Sequence, residues 1–310
     1  MKTVRIHEYG NAEVLRIEEM PVPQIASDEL LIKIHAASVN PLDWKEREGY
    51  YKDMHMHSLP FTLGQDFSGT VEKVGSTVNG FKVGDDVYGR PSSDRDGSYA
   101  EYIEIKASEV ALMPKTITYD EAATIPVAGT TAWETLINRA KIQKGQRVLI
   151  LGASGGVGSM AVQIAKNRGC FVIGTTSNVN LDFVKNLGAN EVIDYNSQDF
   201  SDRLRDIDVV LDTVGGIHQE KAFKVMKRGG ILVSIAGKPN QELANSYGVR
   251  CEYGSVGPNA HILNELRSLI EMGQLHPVID KVFRLEDAKQ AQNYSQTGKA
   301  RGKIVLEIIK

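Results

Sequence analysis

The chain has 310 residues, 42% of them hydrophobic and 24% charged, with a formal net charge of −3. This balance is typical of a soluble protein with two domains, and the lack of a lysine- and arginine-rich run excludes nucleic acid and anionic membranes as expected partners. Two cysteines are too few for a disulfide framework, and no apolar stretch approaches the ~20 residues of a membrane span. We therefore expect a cytoplasmic protein.

The first third of the chain is predicted to be β-rich. Residues 29–36 have the pattern of a half-buried strand, and residues 69–74 and 99–105 are further strand candidates. Glycines punctuate these segments, and no helical periodicity is apparent before about Tyr119. The pattern predicts an antiparallel, partly barrel-like domain.

A different pattern begins near Glu121. Apolar strand segments alternate with segments of helical period, the strands being 147–151, 170–174, 192–194, 208–212 and 230–235. Such alternation is typical of βαβ units and predicts an α/β fold with a doubly wound parallel sheet, over residues 121–256.

The tail continues with an amphipathic helix around residues 262–270, a strand at 278–283, a helix near 285–294 and a last strand at 303–308. A strand arriving so late can return to the first domain. That domain would then be discontinuous, formed by residues 1–120 and 257–310.

A glycine-rich segment, Gly-Ala-Ser-Gly-Gly-Val-Gly, occupies residues 152–158, between the strand at 147–151 and a helix. Glycines allow a tight turn and close approach of a pyrophosphate, and the helix N-terminus offers N–H groups to it. In this strand–turn–helix context the segment predicts a dinucleotide site that uses Ser154, Gly155, Gly156 and Val157. The alternative is a turn without a ligand.

The end of the second strand bears on the choice of cofactor. Folds of this kind that prefer NAD place a carboxylate there, but residues 174–178 read Gly-Thr-Thr-Ser-Asn. Thr176, Ser177 and Asn178 could donate hydrogen bonds to a 2′-phosphate, which favours NADPH. The alternative is that Ser177 and Asn178 only cap the next helix.

Several segments, in this order, resemble the medium-chain dehydrogenase/reductase superfamily, and within it the zinc-independent quinone oxidoreductase-like branch. They are Val-Asn-Pro-Leu-Asp (39–43), Gly-Gln-Asp-Phe-Ser-Gly-Thr-Val (64–71), Val-Gly-Asp-Asp-Val (83–87), Ala-Gly-Thr-Thr-Ala (128–132), the glycine segment, Leu-Gly-Ala (187–189), Asp-Thr-Val-Gly-Gly (212–216) and Arg-Gly-Lys-Ile-Val (301–305). The resemblance covers essentially the whole chain. It implies a GroES-like catalytic domain, split between the two ends of the chain, around a Rossmann domain.

The same resemblance argues against zinc. A cysteine stands in the superfamily's alcohol dehydrogenases where Asn40 stands here, a His-Glu pair stands where Gln65 and Asp66 stand, and their four-cysteine structural lobe has no counterpart. His55 and His57 are close in sequence but lack cysteine or acidic partners, so we expect surface residues rather than metal ligands. Oxidation of an alcohol needs a metal to stabilise the alkoxide, and zinc is not expected here. The favoured chemistry is therefore hydride addition to a quinone or an enone, which gives a delocalised oxyanion that hydrogen-bond donors can stabilise.

The resemblance also implies two catalytic residues. Asn40, in the Asn-Pro-x-Asp segment, corresponds to a position beside the nicotinamide, and its alternative role is to shape the turn before Pro41. Tyr51, in the Gly49-Tyr-Tyr segment, corresponds to a proton donor of related enoyl-thioester reductases. An aromatic wall for a flat substrate is an equal alternative for Tyr51.

The remaining residues implied by the resemblance are on the cofactor side. Thr131 corresponds to a position near the nicotinamide ribose and Tyr195 to one near the 2′-phosphate. Other positions at strand ends or in family motifs are Val214, Ala236, Gly237, Ser255, Val256 and Lys303, each with the alternative of an ordinary structural role. Asn180 stands where many relatives have a basic residue, which weakens the expected preference for NADPH.

These residues together predict a zinc-independent, NADPH-dependent reductase of a small-molecule quinone or α,β-unsaturated carbonyl. Two alternatives stay open: an enoyl-thioester reductase and a non-catalytic NADPH-binding redox sensor. A homodimer paired through the edge of the Rossmann sheet is the expected assembly.

Overall fold

The structure is a computed structural model that describes residues 1–54, 57–254 and 256–309. The chain forms two compact units. The first comprises Met1–Val127, Gly257–Gly273 and Pro277–Lys310, and the second comprises Ala128–Val256 and Gln274–His276. The first boundary between the two units follows Val127, whereas the sequence predicted this boundary between residues 120 and 121.

The N-terminal part of the first unit is mostly β-structure. Its strands are β1 (Lys2–Ile6), β2 (Arg16–Glu19), β3 (Glu29–Val39), β4 (Phe61–Thr62), β5 (Phe67–Val74), β6 (Asp86–Gly89), β7 (Tyr102–Lys106) and β8 (Val110–Leu112). Its helices are α1 (Pro41–Arg47) and α2 (Tyr119–Ala123). Helix α2 packs against β3 and β5, which explains why the first unit extends beyond residue 120.

The second unit alternates strands and helices. After α3 (Pro126–Trp133), which spans the division between the units, its elements are β9 (Arg147–Leu151), α4 (Gly156–Asn167), β10 (Phe171–Thr176), α5 (Leu181–Asn186), β11 (Glu191–Asp194), α6 (Phe200–Arg203), β12 (Ile207–Asp212), α7 (Gly216–Val225), β13 (Met226–Ser234), α8 (Gln241–Tyr247) and β14 (Arg250–Tyr253). The tail returns to the first unit with α9 (Ala260–Glu271), β15 (Ile279–Arg284), α10 (Ala288–Gln296) and β16 (Lys303–Glu307).

The sheet of the second unit has the order β11-β10-β9-β12-β13-β14, and every neighbouring pair is parallel. This is the strand order of a dinucleotide-binding Rossmann fold. The predicted doubly wound sheet is therefore confirmed. Strand β14 and helix α8 were not predicted, because each is short and neither has a clear apolar period.

The first unit contains a three-stranded sheet, β2-β1-β4, and a sheet of seven strands built around β3. Strand β3 pairs along its length with β5, while its other edge pairs first with β7 and then with β16. The pairs are antiparallel except for β15 with β16. The late strand at the C-terminus thus returns to the first unit, as the sequence predicted.

Strand β3 contributes to two separate apolar cores. Ile32 and Ile34 pack in one cluster and Ala37 and Val39 in the other. The register with β5 shifts between Ile34 and Ala36, and a bulge of this kind exchanges the faces on which alternate side chains lie. The side chains of Ala37 and Val39 at the end of β3, which leads into Asn40, therefore pack in the second cluster.

Helix α1 corrects the prediction that no helix precedes Tyr119. Pro41 occupies its first turn, where a missing N–H costs nothing, and the Asp43 carboxylate accepts a hydrogen bond from the backbone N–H of Asn40. The residues that α1 buries are Asp43, Glu46 and Arg47, all charged. Hydrophobic periodicity could not reveal this helix, because its inward face is polar.

No helix within the described part of the chain has the length and apolar character that crossing a membrane requires.

Candidate functional site

The glycine segment forms a tight turn between β9 and α4. Gly152 has φ +75°, and a Cβ there would lie 2.5 Å from Thr213 Oγ1. A Cβ on Gly158 would collide with the Gly152 carbonyl oxygen and lie 2.8 Å from Ala153 Cα. Gly155 differs, since its backbone conformation is ordinary and the nearest heavy atom to a Cβ is 3.5 Å away. Packing within the protein therefore requires Gly152 and Gly158 but not Gly155.

The N-terminus of α4 has the features of an anion site. Gly155 is its N-cap residue and offers no side-chain acceptor, so the N–H groups of the first turn, including those of Gly156 and Val157, have no intrahelical or capping partner. Such N–H groups and the helix dipole bind phosphate groups. The open space at Gly155 leaves room for a ligand to approach, so this loop fits a dinucleotide pyrophosphate.

The adjacent end of β10 holds the predicted 2′-phosphate donors. Thr176 is buried, and its hydroxyl donates to Ser154 Oγ over 2.8 Å, which orients Ser154. The Ser177 side chain makes no capping hydrogen bond to the turn that follows, in contrast to the capping alternative, although Asn180 Nδ2 donates weakly to its Oγ at 3.3 Å. Tyr195 is about half exposed and its backbone N–H donates to the Thr176 carbonyl.

The ends of β12 and β13 are held together by one buried carboxylate. Asp212 Oδ1 accepts from the backbone N–H groups of Val214 (3.0 Å) and Gly215 (2.8 Å). Its Oδ2 accepts from Ser234 Oγ (2.8 Å) and Gln219 Nε2 (2.9 Å). Sequence reasoning assigned no role to Asp212; the signal was an aspartate at the carboxyl end of an apolar strand.

The other predicted cofactor residues lie at three places in the second unit. Val214 and Ala236 are exposed, and Gly237 partly so, at the ends of neighbouring strands. Thr131 is nearly buried within α3, and Val256 is partly exposed beyond β14. Ser255 lies outside the described residues.

In the first unit, Asn40, Asp66 and Lys303 form a buried cluster. Lys303 Nζ donates to Asn40 Oδ1 over 2.6 Å and to Asp66 Oδ2 over 3.1 Å. Asn40 Nδ2 donates to the same Asp66 oxygen over 2.8 Å. Two more groups donate hydrogen bonds to the Asp66 carboxylate: Ser38 Oγ to Oδ2 over 2.5 Å and the Val127 backbone N–H to Oδ1 over 2.6 Å.

Strand register assembles this cluster from distant parts of the chain. Val39 is paired with Ile304, so Asn40 and Lys303 follow at the same end of β3 and β16. Ala37 is paired with Phe67, which places Asp66 at that end as well. The sequence predicted Lys303 to bind the cofactor, but its ammonium is engaged by residues of the first unit.

Two members of the cluster, Asn40 and Asp66, are positions at which the family resemblance implies a cysteine and the glutamate of a His-Glu pair in alcohol dehydrogenases. Asn40 Oδ1 and Asp66 Oδ2 converge here, and both accept from one ammonium group. A bound cation would compete with that ammonium for the same oxygens. Among the described residues, no group of three or more histidine, cysteine, aspartate or glutamate side chains is placed to hold a metal.

A second buried polar group adjoins Asn40. Asp43 Oδ2 accepts from the Asn40 backbone N–H at 2.7 Å and from the Tyr99 hydroxyl at 2.8 Å. Burial raises the pKa of Asp43 to about 7, against the lowering effect of these two bonds, and the negative charges of Asp66 and Glu46 raise it further. Burial likewise raises the pKa of Tyr99.

His57 corrects a prediction. It was expected to be a surface residue without an acidic partner, but its side chain is 6% exposed and its Nε2 lies 2.9 Å from Glu46 Oε1. The ring stacks on Phe61 with centroids 4.3 Å apart. The residues after α1 fold back over the helix, a long-range effect that spacing in the sequence does not show. His55 lies outside the described residues.

The two adjacent tyrosines after α1 differ in exposure. Tyr50 is 66% exposed and meets Trp44 edge-on, with ring centroids 6.1 Å apart. Tyr51, the predicted proton donor, is half-buried at the start of the turn that leads to residues 52–54. Of the two, Tyr51 is therefore the more sheltered phenol.

Comparison with known proteins agrees with this architecture. The profile of the alcohol dehydrogenase GroES-like domain matches residues 26–115, and that of a zinc-binding dehydrogenase family matches residues 187–306. The chain is 39% identical to the 2-methylene-furan-3-one reductase of Solanum lycopersicum, covering 100% of this chain and 79% of that protein. It is 37% identical to the chloroplastic NADPH-dependent alkenal/one oxidoreductase of Arabidopsis thaliana, covering 99% and 79%.

The fold is also that of a solved enzyme. The quinone oxidoreductase of Coxiella burnetii superposes with a TM-score of 0.92 at 34% identity, over 100% of this chain and 99% of that one. A GroES-like unit joined to a Rossmann unit defines an oxidoreductase of the medium-chain dehydrogenase/reductase type. This chain belongs to the zinc-independent, quinone oxidoreductase-like branch of that superfamily. The predicted family and fold class are confirmed.

Proposed function

We propose that this protein uses NADPH to reduce the conjugated double bond of an α,β-unsaturated carbonyl compound, with quinones as a second class of acceptor. The observation that carries the proposal is the Asn40–Asp66–Lys303 cluster, in which an ammonium and a carboxylate hold the Asn40 amide with one N–H bond left to donate. The names of the relatives support the same substrate class, since they act on a methylene-furanone, alkenals and enones, and quinones.

The second unit holds the cofactor in this proposal. The N–H groups of Gly156 and Val157 would hold the pyrophosphate, with Gly155 leaving room for its approach, and Ser177 and Tyr195 would hold the 2′-phosphate. Thr131, Val214, Ala236, Gly237 and Val256, together with Ser255, are proposed to line the rest of the dinucleotide. Bound NADPH supplies the hydride.

The first unit stabilises and then neutralises the negative charge that develops on the acceptor. Hydride addition to the β-carbon of an enone moves negative charge onto the carbonyl oxygen, giving an enolate. The Asn40 amide donates a hydrogen bond to that oxygen, and a donor held in place before the reaction stabilises charge at no cost in reorganisation. Tyr51 supplies the proton that completes the saturated product.

The proposal also includes a cellular compartment and an oligomeric assembly. We propose the cytoplasm, because the chain is near neutral and its two cysteines are free thiols, as in a reducing compartment. Strand β14 forms one edge of the second sheet, and pairing with the β14 of a second copy is the proposed dimer contact.

The test follows NADPH oxidation by the purified protein with a 2-alkenal and, in parallel, a 1,4-quinone, and identifies the products. The expected result is conversion of the alkenal to the saturated aldehyde, not to the unsaturated alcohol, because hydride adds at the β-carbon and not at the carbonyl carbon. Binding of NADPH without turnover of either acceptor would overturn the proposal. Turnover of quinone alone would restrict it to quinones.

A further inference from the structure

Lys303 holds the side-chain amide of Asn40 in one of its two orientations. The Asn40 oxygen accepts from the Lys303 ammonium at 2.6 Å, while its nitrogen donates to Asp66 at 2.8 Å. If the amide were turned over, its NH₂ group would face the ammonium and its oxygen would face the carboxylate. Both contacts would be repulsive, since the ammonium only donates and the carboxylate only accepts. The Lys303–Asp66 pair therefore selects the orientation.

The pair is itself rigidly held. Lys303 is 4% exposed and Asp66 is 0% exposed, so the ammonium and the carboxylate stabilise each other in a buried place, and the nearby Arg90 adds a second positive charge that acts on Asp66. Ser38 and the Val127 backbone N–H fix the remaining lone pairs of Asp66. Of the two N–H bonds of the Asn40 amide, one is used by Asp66, which leaves a single donor in a defined direction.

We propose that Lys303 is a positioning residue of the reduction, not a cofactor ligand: with Asp66, it orients Asn40 so that the remaining Nδ2 hydrogen is presented to the substrate oxygen. This inference rests on the proposed function, in which Asn40 stabilises the developing oxyanion. A donor that is free to turn over would present its oxygen for part of the time, and stabilisation by preorganisation would be lost.

The first experiment compares Lys303→Met with Lys299→Met, a control at an exposed lysine on the same segment. In Lys303→Met we expect kcat for the alkenal to fall by about a hundredfold, as for a misplaced catalytic group, with NADPH affinity unchanged. Lys303→Arg retains the cation and is expected to recover part of kcat. Weaker NADPH binding with an unchanged kcat would assign Lys303 to the cofactor and overturn the inference.

A double-mutant cycle then asks whether Lys303 acts through Asn40. If it does, the Asn40→Ala/Lys303→Met double variant is no slower than Asn40→Ala alone, because the amide to be oriented is already absent. Losses that multiply would show that Lys303 acts independently, against the inference.

Removing the ammonium alone takes from the buried Asp66 carboxylate the cation that hydrogen-bonds it and leaves the charge of the nearby Arg90, and the variant could fail to fold. The Lys303→Met/Asp66→Asn variant removes both charges and keeps the shape of the acidic side chain. It is expected to fold and to show the same fall in kcat. A kcat equal to that of the parent protein would contradict the inference.

A readout that needs no turnover separates this inference from the proposed function. The side-chain amide signals of Asn40 in ¹⁵N-labelled protein are assigned by their loss in Asn40→Ala, and they should shift or broaden in Lys303→Met. Unchanged signals would overturn the positioning role. If the signals move but the parent protein reduces neither acceptor, the proposed function fails while the contact stands.

Discussion

Gly158 and Gly152 meet so closely at the start of α4 that a Cβ on Gly158 would collide with the Gly152 carbonyl oxygen. The helix can therefore pack against the end of β9 only with glycine at 158. Three residues earlier, Gly155 meets no such obstacle and has an ordinary backbone conformation. Packing thus requires glycine at 158. It does not require glycine at 155, where the lack of a side chain leaves room for a ligand.

This contrast gives a matched pair of variants. Gly158→Ala should lower the free energy of unfolding by about 1–3 kcal/mol, the usual cost of overpacking. Gly155→Ala should change stability by at most about 1 kcal/mol, as for an N-cap replacement, yet weaken NADPH binding because its methyl group fills the open space at the helix N-terminus. Urea unfolding of both variants and a fluorescence titration with NADPH test this. Equal NADPH affinity in Gly155→Ala and the parent would contradict the assignment of the loop.

The sequence predicted the second unit well because its signals are local. Strand β9 is an uninterrupted apolar run, and the glycine segment follows it directly, so both the parallel sheet and the turn could be read from neighbouring residues. Helix α1 was missed for the opposite reason. Its buried face carries Asp43, Glu46 and Arg47, and only their partners elsewhere in the chain make that face suitable for burial.

Two residues of the buried cluster, Asn40 and Lys303, were predicted as site residues, but Asp66 and the arrangement of the three were not. The ammonium of Lys303 meets Asn40 across 263 positions of sequence and Asp66 across 237. Such contacts depend on which strands pair and in which register, and no local pattern specifies that. Resemblance to the family pointed to Asn40 and Lys303 separately, and their direct contact came only from the structure.

The buried carboxyl of Asp43 should make stability depend on pH. Its pKa is about 7 in the folded protein against a usual value of 3.8, mainly because burial disfavours the charged form. A raised carboxyl pKa means that the folded protein holds the proton more tightly than the unfolded chain does. The stabilising contribution is therefore complete below 3.8 and is lost as the pH rises through about 7.

The Asp43→Asn variant removes this titration while keeping an oxygen that can accept from the Asn40 N–H and the Tyr99 hydroxyl. Its free energy of unfolding should decline less steeply than that of the parent between the usual pKa of 3.8 and about 7. Asp53→Asn, at an exposed position, is the control and should follow the parent curve. Parallel pH profiles for Asp43→Asn and the parent would disprove the raised pKa.

Ser177 offers a test of cofactor choice. As the N-cap of the turn after β10 it can be replaced by aspartate, which is also a favoured cap, so the fold should be retained. A carboxylate there would repel a 2′-phosphate but not a ribose hydroxyl. We expect Ser177→Asp to raise KM for NADPH by about tenfold, which corresponds to ~1.4 kcal/mol, and to leave KM for NADH unchanged. Ser246→Asp, which adds the same charge on exposed α8, is the control. A parallel change for both cofactors would place the 2′-phosphate elsewhere.

Tyr51 and Tyr50 provide the last comparison, since they are adjacent and only Tyr51 is sheltered. If Tyr51 protonates the enolate, Tyr51→Phe should lower kcat for a 2-alkenal by about a hundredfold or more, the usual contribution of a general acid. The loss with a 1,4-quinone should be smaller, because the phenolate formed there is a weaker base and depends less on a proton donor. Tyr50→Phe, whose phenol is exposed, should behave as the parent with both acceptors. A change in KM alone, equal for alkenal and quinone, would instead make Tyr51 an aromatic wall of the substrate site. The kcat ratio of the two substrates in Tyr51→Phe is therefore the measurement that separates the two roles.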